Sequence, residues 1–84
     1  MVCRMDKWVS SGEYARFLRV LREVRQRAGL TQADVAQRLG QTQSFVSKCE
    51  RGERRMDVVE LRHFCHALGI SLADFITRFN RTTK

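Results

Sequence analysis

TQADVAQRLGQTQSFVSKCERG, residues 31–52, is the stretch whose reading decides this fold. Val35, Ala36 and Leu39 recur at helical spacing and form one apolar stripe, and Val46 and Cys49 form a second. Gly40 lies between the two stripes, where the chain has to turn sharply. Thr31 with Asp34 three residues on caps the first helix, which runs to Leu39. Thr42 caps the next, expected from residue 43 to about residue 51, and Gly52 ends it. Two short helices joined by a glycine turn are expected, the second with a polar face.

The flanking residues supply three more helices. Ser10-Ser11-Gly12-Glu13 has capping-box spacing, so a helix begins near there. Tyr14, Phe17, Leu18, Leu21, Val24 and Ala28 form its apolar face, Arg16, Arg19, Arg22 and Glu23 lie mostly off that face, and Gly29 ends it. Arg25 follows Leu18 and Leu21 on the apolar stripe, so it needs a partner, because an unpaired buried charge is costly. After a charged loop of Glu53, Arg54, Arg55 and Met56, Asp57 and Glu60 start a fourth helix. Val58, Leu61, Phe64, Cys65 and Leu68 are expected to face the core, and Gly69 stops the helix. Ser71 and Asp74 start a fifth, with Leu72, Phe75, Ile76 and Phe79 on one face. Residues 1–12 are expected to form an arm, 13–80 the domain and 81–84 a frayed tail. Within the arm, Trp8 and Val9 can fold back on the first helix.

The bulk composition agrees. A chain of 84 residues makes one domain, and 43% hydrophobic with 30% charged residues suits a globular one. There is no proline. The net charge of +7 draws the chain to polyanions through counterion release, although a solubilising surplus gives the same number. Three cysteines, Cys3, Cys49 and Cys65, without CxxC spacing argue against an oxidised framework. No apolar run approaches the roughly 20 residues that cross a bilayer, and the N-terminus has no signal-peptide core. A cytoplasmic protein without a membrane partner is expected.

GLTQADVAQRLGQTQSFVSKCERG, residues 29–52, resembles the phage repressor and Cro family of helix-turn-helix proteins and the bacterial xenobiotic-response-element-type (XRE) regulators. The resemblance extends from about Glu13 to Phe79. It implies an all-α, compact five-helix, lambda-repressor-like DNA-binding domain with the helix-turn-helix at helices 2 and 3. It implies a sequence-specific transcriptional regulator, a repressor acting by promoter occupancy. Gln32 matches a position that binds a DNA phosphate. Gln41, Thr42, Gln43, Ser44, Ser47 and Lys48 match positions facing the major groove, where glutamine reads adenine and lysine reads guanine acceptors. Arg51, Arg54 and Arg55 match backbone-contacting positions after helix 3. Arg25 matches an arginine that pairs with a glutamate at the position of Glu50. The family also implies a homodimer on a near-palindromic double-stranded operator, often joined through C-terminal elements; the face of helix 5 (Leu72, Phe75, Ile76, Phe79) either completes the core or leaves an apolar edge for the partner subunit, or does both. Cys49 departs from the pattern, since leucine or isoleucine usually stands there.

Blander readings stand beside these. Polar residues such as Gln43 and Lys48 are ordinary on any solvated helix face, and Ser44 and Ser47 discriminate bases poorly. Phe45 either packs beside the turn or touches a thymine methyl; packing is favoured. His63 and His66 with Cys65 between them invite a metal, but the spacing puts Cys65 on the apolar face and the histidines away from it, with no further ligands evident. No metal, no cofactor and no catalytic residues are expected. Cys49 as a redox sensor would need exposure and a lowered pKa. The alternative function is an antitoxin or other interaction module, in which the same fold serves a partner protein.

Overall fold

The computed structural model describes residues 12–82, and these form five α-helices with no strand among them. They are α1 (Gly12–Arg27), α2 (Gln32–Leu39), α3 (Gln43–Glu50), α4 (Val58–Leu68) and α5 (Leu72–Thr82). The cap expected at Ser10 and the contacts expected of Trp8 and Val9 lie outside the described residues. α5 takes in Asn80 and Arg81, so the last helix runs past residue 80.

Each helix start from α2 onward is built as local chemistry dictates. Thr31 Oγ1 accepts from Asp34 N at 3.0 Å, and the Asp34 carboxylate accepts from Thr31 N at 2.9 Å, which closes a capping box. Those hydrogen bonds, the one from the Thr31 backbone first, hold the Asp34 carboxyl below its ordinary range. Thr42 Oγ1 accepts from Phe45 N at the start of α3. Asp57 and Glu60 close a second box at α4, and Ser71 Oγ accepts from Asp74 N at α5. The turn after α2 depends on Gly40, whose φ of 69° is left-handed, and its N–H bonds back to the carbonyls of α2.

The core lies where all five helices meet. α2 packs on α3 and on α4, α1 packs on α3 and α5, and α4 packs on α5. Phe75 of α5 is fully buried, with the Phe17 ring edge-on to it at 5.7 Å, and Phe79 meets Phe17 at 5.8 Å. Val35, Val46, Cys49 and Cys65 complete the centre. Burial pushes the Cys65 thiol up to about 11 and also raises that of Cys49, so neither has the exposed, acidic character of a reactive thiol.

Three placements differ from the sequence expectation. Val20 is buried, although it was not among the residues read as core. It sits three residues after Phe17 and four before Val24, so its signal was present in the spacing. Ala28 is exposed because α1 stops at Arg27 and Ala28 lies in the turn, with its N–H on the Val24 carbonyl. Val58 is 62% exposed, because the first turn of α4 projects past the packed centre.

Candidate nucleic-acid interface

The placement of α3 is set from its buried side. Val46, Cys49 and Glu50 face inward, and Glu50 is only 4% exposed. Its carboxylate accepts from Arg25 Nε at 2.6 Å, from Arg25 Nη2 at 3.1 Å and from Gln32 Nε2 at 3.0 Å. Arg25 Nη1 donates to the Leu30 carbonyl at 2.9 Å. One buried, bidentate ion pair therefore ties α1, the turn before α2, α2 itself and α3 together. The pair expected from sequence is formed. Gln32 joins it through one N–H of its side-chain amide, and its backbone N–H lies in the first turn of α2, where an anion is favoured.

With the inner face fixed, Gln43, Ser44 and Lys48 are exposed on α3, as are Gln41 and Thr42 in the turn, and Ser47 is half-buried. Arg51 Nη1 donates to Ser47 Oγ at 2.6 Å, and Arg51 Nε donates to Glu53 Oε2 at 2.9 Å. That bond is the main reason the Glu53 carboxyl sits below its ordinary range. Gln43, Ser44 and Lys48 are therefore left open on α3, while the Thr42 hydroxyl is used as the helix cap and that of Ser47 is engaged by Arg51.

The three arginines after α3 have different surroundings. Arg51 is exposed beside the row. Arg55 lays its guanidinium over the Tyr14 ring of α1 at 4.3 Å. Arg54 turns back onto Phe45 and pairs with Glu60 of α4. Sequence gave no sign of which arginine would do this. Phe45 is half-buried and stacks on Phe64 at 6.3 Å, so it packs beside the turn.

His63 and His66 are exposed while Cys65 between them is buried, so the three do not converge. Among the described residues no group of three or more His, Cys, Asp or Glu is placed to hold a metal ion. Among them, too, no helix is long and apolar enough to cross a membrane.

A family model described as a helix-turn-helix domain matches residues 13–75. An uncharacterized HTH-type transcriptional regulator of Sinorhizobium fredii, y4dJ, is 37% identical over 59 residues, covering 70% of this chain and 77% of that protein. The chain belongs to the XRE/Cro-type helix-turn-helix family. Solved structures agree. The XRE-family like protein from Pseudomonas syringae pv. tomato superposes with a TM-score of 0.83 at 39% identity, over 95% of this chain and 98% of that one. The restriction-modification controller protein C.Esp1396I, solved as a tetramer with its natural 35 base-pair operator, shares the fold. Its TM-score is 0.78 at 22% identity, over 86% of this chain and 95% of that one. In XRE/Cro-type terms, α2 and α3 are the helix-turn-helix.

Proposed function

We propose that this chain is a sequence-specific DNA-binding transcriptional regulator that represses by occupying a promoter. The observation that carries this is the exposed row Gln43, Ser44 and Lys48 on α3, whose opposite side is fixed by the buried Glu50–Arg25 pair. A polar helix face held rigidly by its inner side suits entry into a major groove. In this reading Gln41, Thr42, Gln43, Ser44, Ser47 and Lys48 face the bases. Arg51, Arg55 and the Gln32 backbone N–H hold phosphates. The charge of +7 supports a backbone contribution that weakens with salt. Such a protein works in the cytoplasm, where the DNA is.

A second copy pairing through α5 would match a near-palindromic operator, with half-site centres roughly 34 Å apart. Exposed Ile76 on α5 and exposed Val58 beside it support that surface.

Selection of bound sequences from a random DNA pool tests the reading. Enrichment of a near-palindrome at low salt is expected, with affinity falling by roughly 10³–10⁵ between 50 and 200 mM salt if about six to ten phosphates are held. Lys48→Ala should change which base is preferred at one position of each half-site, while Arg55→Ala weakens all sequences alike. A pool that returns no enriched sequence would overturn the proposal.

A further inference from the structure

Arg54 lies in the loop between α3 and α4, and its partners belong to both helices. Its Nη2 is 2.8 Å from Glu60 Oε2, in the first turn of α4. Its Cζ lies 4.9 Å from the centre of the Phe45 ring, in the first turn of α3. Its backbone N–H donates to the Lys48 carbonyl at 3.3 Å, which folds the loop back on α3. Glu60 divides its carboxylate: Oε1 accepts from Asp57 N and closes the α4 cap, while Oε2 takes Arg54. The Glu60 carboxyl is held below its ordinary range chiefly by the Arg54 hydrogen bond.

Phe45 needs such a hold. It stacks on Phe64 on one side but borders an open cavity of about 550 Å³, also lined by Leu39, Gln41, Glu60 and His63. Packing alone leaves the ring room to move, and Phe45 sits next to Ser44 and two residues from Gln43. A planar guanidinium can lie over a ring and give a directed N–H to a carboxylate at once, which an ammonium cannot do as well.

We propose that Arg54 is a positioning residue that clamps the first turn of α3 to the first turn of α4 through Phe45 and Glu60, and is not a phosphate ligand. The clamp sets where Gln43 and Ser44 stand. Its Nη2 is taken by Glu60 and its face by the Phe45 ring, and these two contacts set the direction of the side chain. The consequence for DNA rests on the DNA-binding reading above; the clamp itself does not.

The test uses the full chain with Arg54→Gln, Arg54→Lys, Glu60→Gln and the Arg54→Gln/Glu60→Gln double variant. In the free protein, amide hydrogen exchange in α3 should quicken about fivefold to tenfold relative to α1 in each, and no further in the double, since both changes break one unit. On the selected DNA site, each should weaken binding about tenfold and relax preference at the bases facing Gln43 and Ser44. The slope of log affinity against log salt should stay that of the unsubstituted chain. Glu60→Gln should weaken binding even though it removes a negative charge. The opposite pattern overturns the proposal: Arg54→Lys binding like the unsubstituted chain, Arg54→Gln reducing the slope by about one, or Glu60→Gln binding more tightly. Unchanged exchange in α3 overturns it as well. If the unsubstituted chain selects no DNA, the functional reading fails, and the exchange measurement still decides the clamp.

Discussion

The Arg25–Glu50 pair is the single residue contact on which most depends. Glu50 accepts three hydrogen bonds at a site 4% exposed, so removing the arginine leaves a buried carboxylate with only the Gln32 amide. Breaking one side of such a pair costs roughly 3–5 kcal/mol, against a total of about 5–15 kcal/mol for a domain. Arg25→Met should therefore lower the urea midpoint strongly, whereas Arg19→Met, at an exposed position of α1, changes it little. Equal midpoints for the two variants would sink this assignment. Arg25 was legible because a cation on an apolar stripe is a local conflict that demands a partner. The identity of that partner came from family resemblance. The contacts that Gln32 and Arg54 make with neighbouring helices were not legible. Both follow from the angles between helices, and spacing along one helix does not encode those angles.

At the scale of elements, starts were more legible than ends. A cap is made between a residue and the backbone three positions on, so Thr31, Thr42, Asp57 and Ser71 declare themselves in sequence. Ala28 and Val58 were misplaced because apolar spacing continues past the point where a helix stops or leaves the core. The glycines that close α2 and α3 differ in a way that sequence also hides. Gly40 and Gly52 both have left-handed φ, at 69° and 80°. A Cβ at Gly40 would meet nothing within 4 Å, whereas one at Gly52 would lie 3.1 Å from Leu18 Cδ1 of α1. The backbone strain of an alanine is about 1–2 kcal/mol at either site. Gly52→Ala must in addition push back a buried leucine. It should melt measurably below Gly40→Ala by calorimetry; coincident melting would mean that Leu18 yields without cost.

For the whole molecule, the fifth helix shows what periodicity can and cannot say. Leu72, Phe75, Ile76 and Phe79 share a face, as their spacing requires, yet the fold divides them. Phe75 is wholly in the core, Leu72 and Phe79 are half-buried, and Ile76 remains 40% exposed. Spacing identifies a face, but only the packing of α1 and α4 against it fixes where the core ends. What is left over is a groove of about 440 Å³ lined by Tyr14, Phe17, Met56, Val58, Ile76 and Phe79. If a second copy pairs there, the apolar residues at its mouth carry association and the one beneath carries folding. Ile76→Asp should then keep the helical spectrum and melting cooperativity but sediment as a monomer where the unsubstituted chain is a dimer. It should also lose cooperative binding to a two-half-site operator. Phe75→Ala should fail at folding instead, at a cost of roughly 3–5 kcal/mol. A dimer that persists in both Ile76→Asp and Val58→Asp would place the pairing surface elsewhere on the molecule, and a monomeric unsubstituted chain at high concentration would remove it altogether.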